Sequence, residues 1–376
     1  MGNGVSNRNK DVQVGKASEF YWACRNGDYQ RVKHLIANLN YEQWSQIEPN
    51  GSTALHAATH NGHREIVKLL LEHGCSRTTL NRYGHTAYDE AKTEQMRAIF
   101  HRPTSQRFVD AEPTQSFGLL SKTDDDVPDD WVKGYASRSG AREANLMHAI
   151  AQAPLLMRKV LRTRLEEECK EELESFLEKT VGTRHPARAG VIKHFNIYKQ
   201  QKSVESLFTL YTMETPFYGA LQNDCEAFTA LLYMHLSALK ERAYQGIAYR
   251  GAQMTRDDIR AYQWTLAQRG RVLETRTIQS MSKSKDIALG FARNTRKSKP
   301  FSVLLIYDFP EVCRTAIDLA KISEFQDEKE VTLLPFTLFR VSNITVDTND
   351  DVPYRITLQN IPVEKKSVVG ALLGMS

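Results

Sequence analysis

The pattern of apolar and polar positions changes character twice along this chain. Up to about residue 101, apolar residues fall in short helical groups such as ACRNGDYQRVKHLI (23–36) and HREIVKLLLEHG (63–74), with Asn-Gly pairs between them. Short paired helices are what that spacing predicts. Residues 102–130 lose the pattern, and Pro103, Pro113, Pro128 and the acidic run Asp124-Asp125-Asp126 mark a linker. Helical periodicity returns from Trp131 to about Lys240, where Leu146, Met147, Ile150, Leu161 and Leu165 recur at three- and four-residue spacing. Within it, EEECKEELESFLEK (166–179) reads as a solvated helix with Leu173, Phe176 and Leu177 inward. The helix AFTALLYMHLSALKERA ends near Ala243, and short strand patterns follow: GIAYRG, FSVLLIYDF, EVTLLPF and YRITLQNI. Helices first and strands afterwards predict an α+β domain over 131–365, with a tail at 366–376.

The first region carries an internal repeat. Gly51 and Gly84 lie 33 residues apart, and Thr53-Ala54-Leu55-His56 maps onto Thr86-Ala87-Tyr88-Asp89 at the same offset. Asn26-Gly27 and Asn61-Gly62 sit between paired helices, small Ala57 and Ala58 allow close packing, and Ile66, Val67, Leu69, Leu70 and Leu71 supply a shared core. That period and the T-A-L-H variant of T-P-L-H resemble the ankyrin repeat. The resemblance implies an all-α module over 17–101 that binds or spaces and has no chemistry of its own, so an unidentified protein is expected at its surface. His56 reads as a turn-stabilising hydrogen-bonder rather than a metal ligand, because no second ligand sits at helical spacing.

Composition narrows the setting. The 376 residues are 41% hydrophobic and 25% charged, as in an ordinary globular protein of two to three domains. No apolar run approaches the roughly 18 residues of a membrane helix. Residues 1–16 are polar, so no secretory signal is expected. Five scattered cysteines without a CxxC pair predict a reduced, cytoplasmic chain lacking disulfides and structural zinc. The net charge of +5 is dispersed apart from Arg293, Arg296, Lys297 and Lys299, a solvated loop rather than a nucleic-acid surface. MGNGVS, with Gly2 behind Met1 and Ser6 following, fits the N-myristoylation pattern, and Arg8, Lys10 and Lys16 would add attraction to anionic lipid. The alternative is a chance match in a polar terminus.

Candidate chemistry concentrates at DEKEVTLLPF (327–336), where acidic residues open an apolar strand. On an extended backbone Glu328 and Glu330 share a face and can divide acid–base and charge-stabilising roles. A solvated strand mouth is the plainer alternative. Two patches precede it. In AYRG (248–251), Arg250 is expected to close a strand and Gly251 to let the backbone turn, presenting a guanidinium suited to phosphate. In QSMSKSKDIALGFA (279–292), the hydroxyls of Ser280, Ser282 and Ser284 alternate before a helix that begins near Asp286.

The order Arg, Ser-x-Ser, Glu-x-Glu resembles the signature of mono-ADP-ribosyltransferases related to cholera toxin, closest to their arginine-specific branch. The likeness covers roughly residues 190–365 and includes LYTMETPFYGAL (210–221) before the central helix. It implies a helical part followed by two packed, mainly antiparallel sheets, with NAD+ as co-substrate (NADP+ as an alternative) and no metal. It assigns Glu330 to the oxocarbenium-like charge on the ribose, Glu328 to the acceptor guanidinium, and Arg250 with Gly251 to the dinucleotide. Ser282, with Ser284, would position the nicotinamide ribose or its carboxylate partner. Phe325 would meet the acceptor, or else plug the core. Gln326-x-Glu328 would be the pairing for other acceptors, but Glu330 directly precedes the apolar strand, which favours Glu-x-Glu. Lys283 departs from the usual Ser-Thr-Ser: turned into the pocket it would oppose the nicotinamide charge, turned away it would be harmless. The implied activity is transfer of ADP-ribose to an arginine of a protein substrate. NAD+ hydrolysis on the same fold, and an ankyrin adaptor with an inert transferase domain, are the alternatives.

Overall fold

A computed structural model describes residues 16–102, 146–149, 155–267, 271–293 and 301–363. The Gly2 motif, the basic group Arg296, Lys297 and Lys299, the linker prolines and the tail at 366–376 lie outside the described residues.

Helices α1 (Glu19–Asn26), α2 (Tyr29–Ile36), α3 (Tyr41–Trp44), α4 (Ala54–His60), α5 (Arg64–Glu72) and α6 (Glu94–Phe100) form the first module. Gly51 and Gly84, one period apart, both hold left-handed φ values of 76° and 74° at equivalent turns, which a side chain would strain. Leu55, Ala58, Val67 and Leu70 are buried between neighbouring helices in one apolar cluster. His56 works inside the turn. Its Nδ1 lies 2.7 Å from Thr53 Oγ1 and its Nε2 3.0 Å from the carbonyl oxygen of His85. Burial lowers its pKa from the usual histidine value, and both bonds suit a neutral ring.

The helical part that follows includes Leu155–Thr180, Arg188–Gln201, Val204–Thr212 and Glu226–Met234. Leu173, Leu177, Phe208, Tyr211, Phe228 and Leu232 are buried together. Leu165 is 46% exposed, whereas Glu166 is 6% exposed, held by Lys202 Nζ at 2.5 Å. A core-facing charge with a partner has displaced the leucine that periodicity placed inward.

Seven strands complete the domain: β1 (Ala243–Met254), β2 (Leu273–Glu274), β3 (Gln279–Ser282), β4 (Phe301–Asp318), β5 (Glu330–Leu333), β6 (Leu338–Val346) and β7 (Tyr354–Ile361). They run in the order β1-β3-β5-β4-β7-β6-β2, and a long β1–β4 ladder joins the two sides. One edge of that ladder continues through β3 and β5 and the other through β7, β6 and β2. The pairings are antiparallel except β4–β7, which is parallel. An ankyrin module followed by a helical part and an antiparallel-rich strand domain is therefore the architecture.

Candidate active site

β1 and β3 meet at Tyr249↔Ser282, and β3 meets β5 at Ser282↔Glu330. That register gathers three distant patches around one pocket, whose lining includes Arg250, Ser280, Ser282, Glu328, Glu330 and Phe291.

Arg250 lies inside β1, opposite Leu305, rather than at a strand end, and its Nη1 donates to the Ser280 carbonyl at 2.8 Å. Gly251 continues the strand opposite Leu304, so it makes no turn. Its reason is contact. A Cβ there would stand 2.1 Å from the Ala288 carbonyl oxygen and 2.5 Å from the Ala292 amide nitrogen. The helix Lys285–Ala292 can lie on β1 at that distance only over a bare backbone.

Glu330 opens β5 and is 3% exposed. Ser280 Oγ donates to its Oε1 at 2.5 Å, and Ser323 Oγ to its Oε2 at 3.5 Å. Tyr211, on the buried helix Val204–Thr212, reaches Ser280 Oγ at 2.8 Å. With the carboxylate as final acceptor, Tyr211 donates to Ser280 and Ser280 to Glu330. Ser282 instead donates to the Glu328 carbonyl at 2.7 Å and accepts from the Ser284 amide at 2.9 Å. It fixes the loop backbone rather than the Glu330 carboxylate. Ser284 stands at the N-cap position of the helix Lys285–Ala292, without a side-chain capping bond, and is not among the pocket's lining residues. Ser280 is the residue that the Ser282-x-Ser284 reading passed over, and Tyr211 is a second. Alternation alone could have named Ser280, which shares a face with Ser282.

Lys283 turns away from the pocket, its Nζ 2.8 Å from an Asp318 carboxylate oxygen. Glu328 departs from the expected strand face. Residues Gln326–Glu328 form a 3-10 turn, Lys329 takes φ 48°, and only at Glu330 does the strand begin. Glu328 is 5% exposed. Its Oε1 accepts from Arg102 Nε at 2.7 Å and its Oε2 from Arg102 Nη2 at 3.1 Å, a bidentate pair from the residue directly after the ankyrin module. Phe325 is 2% exposed, with the guanidinium carbons of Arg102 and Arg77 at 3.7 Å and 4.7 Å from its ring centroid. Beside it, burial pushes the Glu324 carboxyl up to about 7 although Arg77 Nε stands 3.9 Å away. Burial also raises Asp327, whose neighbour is His101 at 3.9 Å.

Residues 20–99 match the family model described as ankyrin repeats (3 copies). The human NAD-capped RNA hydrolase NUDT12 is 35% identical over 87 residues, which is 23% of this chain and 19% of that protein. Human ankyrin repeat domain-containing protein 39 is 50% identical over 52 residues, 14% of this chain and 27% of that one. The matched stretch thus spans about a fifth to a quarter of these relatives' own length. Among solved structures, the ADP-ribosyltransferase HopU1 of Pseudomonas syringae is 15% identical at a TM-score of 0.32, over 59% of this chain and 97% of that one. The ADP-ribosyltransferase Vis of Vibrio splendidus, in complex with agmatine, is 18% identical at a TM-score of 0.28, over 58% and 93%. With similarity at that level, the functional reading rests on the site's own residues.

Proposed function

We propose that this chain is an NAD+–protein-arginine ADP-ribosyltransferase. The observation that carries the reading is the single pocket lined by Arg250, Ser280, Ser282, Glu328 and Glu330. A cationic side chain beside two buried acids fits a donor that is anionic at its diphosphate and cationic at its nicotinamide.

Each residue then has a task that its position allows. Arg250 supplies positive charge for the diphosphate. Glu330, oriented by Ser280, faces the ribose, where positive charge develops as the C1′–nicotinamide bond breaks and its electron pair leaves with nicotinamide. Glu328 holds the acceptor guanidinium, one nitrogen of which forms the new bond to C1′ while its proton passes to Glu328. That an arginine side chain already meets Glu328 in bidentate fashion supports a guanidinium acceptor. NADP+ would be accepted if its 2′-phosphate stays outside the pocket. The ankyrin surface would choose the protein substrate, and a lipid on Gly2 would hold the chain at a membrane surface.

The test follows NAD+ consumption with agmatine as a free guanidino acceptor, measuring ADP-ribosyl-agmatine and free ADP-ribose separately. Glu330→Gln should lower both products by on the order of 10³-fold, the range for losing one charge-stabilising group at a reacting centre. Glu328→Gln should remove the agmatine product and spare part of the hydrolysis. ADP-ribose alone in the wild type would make the chain an NAD+ glycohydrolase. No consumption above the Glu330→Gln level in folded protein would leave an inert domain on an ankyrin adaptor.

A further inference from the structure

Arg102 stands where the reaction would need its acceptor. It lies two residues beyond α6, directly after the ankyrin module, and is separated from Glu328 by 226 residues of chain. Its side chain is 4% exposed. Each guanidinium nitrogen is engaged: Nε and Nη2 with Glu328, Nη2 also with the Thr212 carbonyl at 3.2 Å, and Nη1 with Glu214. The guanidinium also covers the Phe325 ring, completing the surround an incoming arginine would meet.

The rest of the ankyrin edge holds the same loop. Arg77 pairs with Glu324 at 3.9 Å and donates to the Phe100 carbonyl at 2.9 Å, tying the loop to the end of α6. His101 faces Asp327, and Lys321 Nζ reaches the Gly84 carbonyl at 3.4 Å. Three residues of the loop 321–328 besides Glu328 and Phe325 thus find partners in the ankyrin module or directly after it. A stabilising strut would need no such match to the carboxylate that the reaction uses.

We propose that Arg102 is an internal occupant of the acceptor-guanidinium site, through which the ankyrin module closes the transferase to arginine-bearing substrates until the α6 end withdraws. The inference rests on the transferase reading for its consequence but not for its binding test. Arg102 blocks rather than serves as substrate, because every nitrogen that could attack C1′ is committed to a protein acceptor. A tethered ligand of this kind acts at an effective concentration in the millimolar range, so a free acceptor must outcompete it.

The experiment compares full-length wild type, Arg102→Ala, Arg102→Lys and Arg97→Ala, an exposed control on α6. Agmatine binding is measured by calorimetry and its KM by product formation, alongside thermal unfolding. Arg102→Ala should bind agmatine on the order of ten- to a hundredfold more tightly than wild type and show a matching fall in KM. Arg102→Lys, which keeps the charge but not the fork, should fall between, and Arg97→Ala should match wild type. Weaker or unchanged agmatine binding in a folded Arg102→Ala would overturn the inference and reduce Arg102 to an interdomain brace. Mass-spectrometric detection of ADP-ribose on Arg102 would overturn it in another way. Tighter binding in Arg102→Ala without NAD+ turnover in any variant would retain the occupied site and discard the transferase reading.

Discussion

The ankyrin module and the strand domain both bury polar groups, but they satisfy them over different lengths of chain. His56 finds its partners 3 and 29 residues away, within one repeat and the next. Glu330 is held by Ser280 across 50 residues, Ser280 by Tyr211 across 69, and Glu328 by Arg102 across 226. A repeat writes its contacts into each period, whereas the candidate site exists only once β1, β3 and β5 are in register and the module is docked. The first kind of order is robust to changes elsewhere. The second is not.

Gly251→Ala should break that contrast most sharply. One methyl group at this position meets the backbone of Ala288 and Ala292, which cannot rotate away as a side chain could. Overpacking of this kind costs about 3 kcal/mol, and the helix Lys285–Ala292 must lift off β1. Chemical denaturation should show the loss, and NAD+ binding should weaken because the pocket wall is made by Ala288 and Phe291 of that helix. Undiminished stability would mean that β1 and the helix tolerate a wider gap than their packing indicates.

The same contrast explains what the sequence disclosed. The ankyrin module was legible because Gly51 and Gly84, and the segments around Thr53 and Thr86, repeat at one offset, and a period can be read without knowing the fold. Strands and helices of the second domain were legible from alternation and periodicity. The site was legible only in part. Arg250, Glu328 and Glu330 were nameable as charged groups at strand patterns, but which serine touches which acid depends on the β3–β5 register. Ser280 reaches Glu330 diagonally, past Ser282, the residue directly opposite. Nothing in DEKE marks Lys329 for a left-handed conformation, so Glu328 looked like part of the strand. The Arg102–Glu328 pair has no local signal whatever, since neither residue's neighbourhood refers to the other.

Glu324 offers a smaller perturbation at the boundary between the two regions. Its carboxyl is raised from an ordinary 4.5 to about 7 by burial against the ankyrin edge. The folded chain therefore binds a proton that the unfolded chain has lost over that interval, and stability falls as pH rises from about 4.5 through about 7. The total is on the order of 3 kcal/mol between the two limits. Glu324→Gln should abolish most of that slope and stabilise the docked module at pH 8 while changing little at pH 4.5. Urea unfolding across this range, with and without the substitution, measures it. A wild-type stability that rises between pH 5 and 7 by the same amount in both proteins would show that other groups govern the docking.

Thr53→Ala probes the local kind of order alone. Thr53 Oγ1 accepts from the His56 amide at 3.4 Å at the start of α4 and meets His56 Nδ1 at 2.7 Å, so the substitution removes a helix cap and leaves a buried imidazole nitrogen short of its donor. The cost should be about 1–2 kcal/mol. Because those partners lie inside the repeat, hydrogen exchange should accelerate in α4 and α5 and stay unchanged in β1, β3 and β5. Arg102 supplies a way for the effect to reach Glu328. If loosening the repeat also lowers the KM for agmatine, the two regions are coupled through that side chain, and the module's stability sets how often the acceptor site opens. If exchange rises in α4 with no change in KM, docking is stronger than the repeat that carries it, and opening needs something other than local fraying.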